Sequence, residues 1–464
     1  MRMREITLTI DGREVRARAG STVFEAAREA GIEIPHLCHH PLLEDTGACR
    51  LCVVEVEGAR SLMASCTTPA ADGMVVFTRS ERVVEARRMV LDLLLSNHPM
   101  ECLTCERCGD CRLQDYAYEY GVERGSFRGE VRDLGVDDSN PFFIRDHNKC
   151  ILCGRCIRVC EEVQGNNAID YAFRGFDTRV AAAFDAPLQD TTCVFCGNCI
   201  TVCPVGALTP KDRRWSGRRW QLEKTETVCP YCGVGCKINL LTVEGRIVGS
   251  EPADGPANGT LLCVKGRFGM DFVQSPDRLT RPLIRKGGEL VEASWDEALD
   301  LVARRLREIV EESGPDAVGF LSSAKCTNEE NYLLQKFARA VVGTNNVDHC
   351  ARLCHSSTVA GLATVFGSGA MTNSIGEVEG SDAIFVIGSN TTEAHPVIGL
   401  KIKRAKRKGA ALIVADPRHI ELAGLADVHL QHMPGTDVAL LNGMMNVIIA
   451  EGLFDAEFVE ERTE

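Results

Sequence analysis

Cys150–Cys160 reads CILCGRCIRVC and Cys193–Pro204 reads CVFCGNCITVCP, the same C-x2-C-x2-C-x3-C run written twice. Such self-similarity marks a duplicated unit. Working outward, the chain of 464 residues carries 23 cysteines. Scaffolds with that many disulfides are short and secreted. This chain is long, and its opening, MRMREITLTIDGREV, shows neither an apolar signal core nor a twin-arginine pattern, so reduced thiols that ligate metal in the cytoplasm are expected. A hydrophobic fraction of 45% with 25% charged residues suits several globular domains. The net charge of −13 argues against a nucleic-acid surface, which must be basic. No apolar run is long enough to span a bilayer, so membrane contact would need a partner. The one basic block, KIKRAKRK at Lys401–Lys408, reads as a solvated helix face.

Local patterns divide the rest. ITLTI and EVRARAG flank Asp11-Gly12, a tight-turn dipeptide, and predict a hairpin. Thr22 and Glu25 form a capping box ahead of FEAAREAG. Glu81 to Leu95 has helical spacing and stops before Asn97-His98-Pro99. After Ser294 the cysteines thin out. SWDEALDLVARRLREIV predicts a helix, AVGFLSS a strand, and Asn328 to Val342 a helix. DAIFVIGSN, IGLKIKRAKRKG and ALIVADPR then read as strand, helix, strand, the unit of a parallel doubly wound sheet. The expected fold class is multidomain, α+β then α/β, with regions 1–80, 81–125, 140–212, 222–280 and 281–464.

Four resemblances attach to the cysteines. Cys38, Cys49, Cys52 and Cys66 form C-x10-C-x2-C-x13-C, which resembles the β-grasp [2Fe–2S] module that opens the large peripheral subunit of respiratory complex I and iron-only hydrogenases. His98, Cys102, Cys105 and Cys111 resemble the one-histidine [4Fe–4S] site of the same families. Cys108 departs from that pattern, so Cys102, Cys105, Cys108 and Cys111 stand as the alternative ligand set. The duplicated runs are similar to bacterial two-cluster ferredoxins. That likeness implies crossed ligation: Cys150, Cys153 and Cys156 with Cys203, and Cys193, Cys196 and Cys199 with Cys160. Cys229, Cys232, Cys236 and Cys263, followed by Lys265 in CVKGRFG, resemble the N-terminal [4Fe–4S] domain of molybdopterin oxidoreductases, where the matching lysine lies between cluster and pterin.

The segment NNVDHCARLCHSSTVAGL resembles the metal-ligand segment of formate dehydrogenases. That resemblance implies Cys354 as ligand to molybdenum or tungsten and His355 as its acid/base partner. A soft thiolate suits such a metal, and an imidazole can take a proton near neutral pH. The five cluster sets use 19 cysteines and one histidine, leaving Cys108, Cys326, Cys350 and Cys354. Cys326 and Cys350 are expected to be ordinary buried thiols. Gly388, Asn390, Glu393, His395, Asp416 and Arg418 fall at predicted strand ends, where open α/β sheets bind nucleotides, and in the resembling family they lie in or near the site of a guanine dinucleotide pterin.

The resemblance implies a cytoplasmic catalytic subunit that interconverts formate and CO2. It would hold one [2Fe–2S] cluster, four [4Fe–4S] clusters and molybdenum or tungsten bis(molybdopterin guanine dinucleotide). Formate's hydrogen would leave as hydride to a metal sulfido group or as a proton to His355. Electrons would reach a diaphorase subunit with flavin and NAD, or a ferredoxin or hydrogenase. A complex I-like electron-transfer subunit, an iron-only hydrogenase and a nitrate reductase are the rivals. The end at GLFDAEFVEERTE lies within an α/β pattern, whereas subunits of this family run several hundred residues further, so a fragment or a second completing polypeptide is expected.

Overall fold

In the computed structural model, which describes residues 4–123 and 125–464, Asp11 and Gly12 both take left-handed backbone angles (φ 49° and 79°). They turn Glu5–Ile10 back onto Arg13–Arg18 in an antiparallel pair. Met1–Met3, part of the opening segment read as lacking a leader, lie outside the described residues, as does Arg124. Ile6, Leu8 and Ile10 point to one face of the hairpin and are buried with Val15 and Ala17. The capping box forms: Thr22 N–H donates to the Glu25 carboxylate (2.8 Å) and Glu25 N–H to Thr22 Oγ1 (3.1 Å). It starts the helix Val23–Glu29, whose Val23, Phe24, Ala26 and Ala27 enter the same core. Val75–Phe77 pairs parallel to the first strand and antiparallel to Val53–Val56, completing a five-stranded sheet.

Helix Glu81–Ser96 follows, capped by Ser80. Its Arg87, only 1% exposed, is the bolt of this region. Nε donates to Leu51 O (3.1 Å), Nη2 to Val53 O (2.9 Å) and Nη1 to the Tyr120 hydroxyl (2.9 Å). Leu91 and Leu95 join Leu113, Tyr116, Phe143 and Leu188 in a second core, against which many of the cysteines pack. In the duplicated region two short helices, Arg155–Arg158 and Asn198–Val202, are each preceded by a left-handed glycine, Gly154 (φ 69°) and Gly197 (φ 70°). Glu223–Val228, Lys237–Val243 and Arg246–Pro252 form an antiparallel sheet, and Val264–Phe268 a short helix after Cys263.

The chain divides into two units, 1–270 with 375–464, and 271–374. In the first, Ala383–Ile387, Ala411–Ala415 and Val428–Leu430 make the expected parallel sheet, with helix Pro396–Arg407 as crossover. The basic block on that helix is not a solvated face. Lys403 is 6% exposed and bonds Asn166 Oδ1 (3.0 Å) and Glu421 (2.5 Å), and Arg407 donates to Glu161 O. Leu400 packs with Leu43, Val159 and Val202, so Lys403, one turn later on the same side, is carried into the seam against the duplicated region.

The second unit contains helix Trp295–Ser313, capped by Ser294, and a parallel pair Phe320–Ser322 with Val347–His349. The expected strand at 317–323 is shortened because Pro315–Ala317 forms a single 3-10 turn. Asn328–Phe337 is helical and its continuation, Ala338–Val342, widens to a π turn. Helix Ala351–Phe366 has no buried residue, and Cys326 and Cys350 are exposed rather than buried thiols. The two strands are too few to cover them.

Arg87→Ala leaves two buried carbonyls and a hydroxyl without their donor, so stability should fall by on the order of 3 kcal/mol. The measurement is the denaturant midpoint of the purified chain; an unchanged midpoint would mean that the three bonds do not hold the helix to the sheet.

Candidate functional site

Cys38, Cys49, Cys52 and Cys66 converge on loops at the edge of the first core. Cys49 N–H donates to Cys38 Sγ (3.5 Å), Leu37 N–H to Cys49 Sγ (3.4 Å), and the Cys52 and Cys66 sulfurs lie 3.4 Å apart. Hydrogen bonds from the Cys49 and Cys66 thiols hold Cys38 far below the usual thiol range. Four crowded thiols are the donor set an iron–sulfur centre requires.

The duplicated runs meet in a crossed arrangement. Burial pushes Cys153 up to about 12, and the charge of Cys203 acts on Cys150, Cys153 and Cys156 alike. Burial likewise pushes Cys196 up to about 12, and Cys160 is the long-range neighbour shared by Cys193, Cys196 and Cys199. All eight line one apolar cavity of about 80 Å³. Among the described residues no three ligand-type side chains converge at the spacing of a single ion. A zinc ion gathers its thiolates at about 2.3 Å from one point; a multi-iron cluster keeps them apart at its corners, and a shared cavity ringed by eight thiols fits that larger body.

Cys102, Cys105 and Cys108 lie near enough that burial and mutual charge raise Cys102. Cys111 is pushed up to about 11 by burial, with Cys105 among its neighbours. His98 is lowered to about 4 by burial and then by Lys149, whose ammonium also faces Cys105. His98 is thus a neutral imidazole in the same neighbourhood, and Gln114 Nε2 lies 3.8 Å from Cys108 Sγ. Sequence reading missed Gly206: a Cβ there would stand 2.5 Å from Cys105 Sγ, so the loop after Cys203 closes directly over that sulfur.

Cys229, Cys232, Cys236 and Cys263 act on one another, and burial first of all raises Cys236 to about 12. Lys265 and Glu393 share with all four a small cavity of about 20 Å³. The lysine thus borders the same space as the four thiols and as Glu393, on the turn after strand Ala383–Ile387. At the carboxyl ends of the parallel strands the structure gathers the other expected cofactor residues. Gly388 (φ 60°) donates its N–H to Ala415 O (3.0 Å), and Asn390 and His395 flank the turn that carries Glu393. Buried Asp416 accepts from Arg418 N–H (2.8 Å), leaving most of the Arg418 side chain exposed.

Cys354 and His355 belong to the other unit, in the first turns of helix Ala351–Phe366, just past strand Val347–His349. Cys354 is exposed. Cys350 Sγ accepts from Ala324 N–H (3.1 Å) and lies 3.9 Å from His349 Nδ1, while Ala351 N–H donates to that nitrogen (3.0 Å). Cys350 is thus tied to the loop after the neighbouring strand, and Cys354, one turn on, is not.

Grouped thiols that lead to a parallel α/β sheet define an iron–sulfur redox protein with a cofactor-binding domain. Comparison with known families sharpens this. Residues 3–81 match the 2Fe-2S iron-sulfur cluster binding domain, 87–125 the NADH-ubiquinone oxidoreductase-G iron-sulfur binding region, and 140–209 the ferredoxin-like domain of NADH-quinone oxidoreductase subunit 3. Residues 222–275 match the molybdopterin oxidoreductase Fe4S4 domain and 278–457 the molybdopterin oxidoreductase domain. The chain belongs to the molybdopterin oxidoreductase family, with ferredoxin-like iron–sulfur domains ahead of the molybdopterin domain. It is 38% identical to "Probable oxidoreductase YjgC" of Bacillus subtilis (strain 168), over 98% of this chain and 50% of that protein. It is also 38% identical to "Putative formate dehydrogenase YrhE" of the same organism (99% and 51%). Identity is 36% to "NADPH-Fe(3+) oxidoreductase subunit alpha" of Geobacter sulfurreducens (98% and 53%). The chain spans about half the length of these curated relatives. A chain of a NAD+-reducing [NiFe]-hydrogenase is 38% identical, covering 46% of this chain and 90% of its own, with a TM-score of 0.43.

Gly206→Ala puts a methyl group against Cys105 Sγ. The expected outcome is loss of one [4Fe–4S] signal by electron paramagnetic resonance, with the remaining signals kept; an unaltered spectrum would place Cys105 outside any cluster.

Proposed function

We propose that this chain is the iron–sulfur and active-site portion of a molybdopterin-dependent formate dehydrogenase, which converts formate to CO2 with release of one proton and two electrons, or the reverse. The observation that carries the reading is the Cys354-His355 pair in the opening turns of a helix past a parallel strand, in a chain that also sets Lys265 beside a four-cysteine site. Cys350 and His349 meet at the strand end and Cys350 accepts from Ala324 N–H, which leaves exposed Cys354, one turn on, as the sulfur presented to a ligand. The cofactor, molybdenum or tungsten bis(molybdopterin guanine dinucleotide), supplies a two-electron acceptor at that thiol when bound. His355 takes up the proton that formate loses. Asp416 and Gly388, at adjacent strand ends, suit the guanine and phosphate of the dinucleotide, with Asn390, Glu393, His395 and Arg418 around them. Lys265, which lines the cavity of the four cysteines, would offer its ammonium as a donor to the bound pterin.

Electrons then leave through the Cys229 set, the duplicated region, and the sets around Cys102 and Cys38, five clusters in all, one [2Fe–2S] and four [4Fe–4S]. The match to NADH-quinone oxidoreductase regions supports a flavin- and NAD-binding partner subunit, with a ferredoxin or hydrogenase as the other acceptor. Among the described residues no helix is long and apolar enough to cross a membrane. A second reading, an electron-conducting subunit without its own formate chemistry, draws support from the relative named as an NADPH-Fe(3+) oxidoreductase subunit.

Formate-dependent viologen reduction by the native assembly, isolated without oxygen, separates the two. Formate dehydrogenase activity is expected, with no nitrate-dependent reoxidation. Cys354→Ser should abolish it while the cluster signals persist, and His355→Ala should lower it roughly 10²- to 10⁴-fold. Clusters that bleach with dithionite but not with formate would favour the conducting subunit. Ligation near Cys102 is settled by two variants: His98→Ala should remove one cluster and Cys108→Ser should leave it. The reverse pattern would assign Cys108.

A further inference from the structure

Arg267 lies one helical turn beyond Cys263, its N–H bonded to Cys263 O (3.1 Å). Its side chain leaves the Cys229 site and crosses into the duplicated region. It is 5% exposed. Nε donates to Cys196 O (3.0 Å) and Nη2 to Thr201 Oγ1 (2.6 Å), both neutral acceptors. Ser250 Oγ pins the backbone behind it by donating to Gly266 O (2.6 Å) and Arg267 O (2.9 Å). Phe268 stacks on Phe142 (centroids 5.0 Å apart). The room for the guanidinium comes from Gly197, where an added Cβ would overlap Arg267 Cδ and stand 2.5 Å from Nε.

The duplication makes this position informative. Gly197 in the second run corresponds to Gly154 in the first, since each follows the second cysteine of its run. At Gly154 the close approach is made by the Tyr171 hydroxyl with Arg158 Nε at 3.9 Å, and Arg158 Nη2 donates to Cys153 O (3.2 Å), so each run carries a buried guanidinium on the carbonyl of its second cysteine. The first run supplies its own, whereas at Gly197 the permanent cation comes from the segment after Cys263. Nearby charges do not cancel it one for one. The polar cavity of about 210 Å³ beside it is lined by Asp110, Asp212 and Glu251 against Arg107, Arg213, Arg219 and Arg267; Asp110 pairs with Arg107 and Arg219 (both 3.3 Å), and Glu251 with Arg219 (2.8 Å) and Lys224 (2.6 Å).

We propose that Arg267 is a positioning residue for electron transfer: its buried guanidinium raises the reduction potential of the cluster held by Cys193, Cys196, Cys199 and Cys160, and so favours that cluster as the acceptor for electrons leaving the Cys229 site. This rests on the reading that these cysteine sets hold [4Fe–4S] clusters. A one-electron reduction adds one negative charge to the cluster, and a fixed positive charge in a poorly hydrated site favours the reduced form. Removing the charge therefore lowers the midpoint. The bond to Cys196 fixes the distance over which the effect acts.

The test is a redox titration of the holo chain followed by electron paramagnetic resonance, on wild type, Arg267→Gln, Arg267→Lys and Thr201→Val. Arg267→Gln should shift the reduced-to-oxidised ratio of one [4Fe–4S] cluster tenfold toward the oxidised form, about 59 mV for one electron, with the other midpoints unmoved. Arg267→Lys should recover most of the shift, and Thr201→Val, which drops a hydrogen bond and keeps the charge, should show little. Unmoved midpoints in a fully loaded Arg267→Gln overturn the proposal, as do equal shifts in the Gln and Lys variants, which would trace the effect to packing. Should Arg267→Gln lose the cluster, the other two variants decide: near wild-type midpoints in both support the charge, and a full shift in either overturns it. A wild-type chain with no [4Fe–4S] signals would defeat the cluster reading itself.

Discussion

Burying sulfur that must carry negative charge is the constraint around which the first unit is arranged. Low-polarity surroundings push most of the grouped thiols upward, and Cys156 and Cys199, in the midst of their sets, are raised well above the ordinary value. The chain answers with buried arginines. Arg155 donates to Val202 O and His39 O, Arg158 to Cys38 O, Cys153 O and Glu44 O, and Arg267 to Cys196 O. Each is held by neutral carbonyls of the segments that carry thiols, so its charge stays available to the sulfurs. Had carboxylates filled the same role, each cation would have been cancelled locally.

The arginines also explain how separate small cores become one unit. The sheet that begins with Glu5–Arg18 and the Glu223–Pro252 sheet have their own buried clusters, and the duplicated region shares one with helix Glu81–Ser96. Arg87 joins the first sheet to the helix after it, Arg158 joins the Cys38 loop to the first run, and Arg267 joins the second run to the sheet beyond. The basic helix Pro396–Arg407 repeats the device through Lys403 and Arg407.

What could be read in the sequence was whatever lies close along the chain. Cysteines three residues apart, the Asp11-Gly12 turn, the Thr22–Glu25 box and the strand–helix–strand of 382–418 all encode their structure within a turn or two, and each appears where expected. Contacts that span tens of residues leave no such mark. Nothing in KIKRAKRK indicates that Asn166 and Glu161 will meet it, and an isolated Gly206 or Arg87 looks like any other. The exposure of Cys326 and Cys350 failed for a related reason: burial depends on how many neighbours cover a strand pair, and the pattern of 317–349 is silent on that. The crossed pairing of Cys160 and Cys203 came from the resemblance to two-cluster ferredoxins and not from spacing, which serves crossed and uncrossed ligation equally well.

The link through Arg158 carries a consequence for recombination between relatives. One nitrogen, Nη2, meets Cys38 O at 2.7 Å and Cys153 O at 3.2 Å, so two redox segments 115 residues apart share a single donor. A chimera joined between residues 80 and 140 would inherit the arginine from one parent and the loop that receives it from the other. Such a hybrid could keep every cysteine and still lose the alignment between its first two redox stations. The natural crossover units of this chain are therefore seams with both faces included, larger than the sequence modules that meet there.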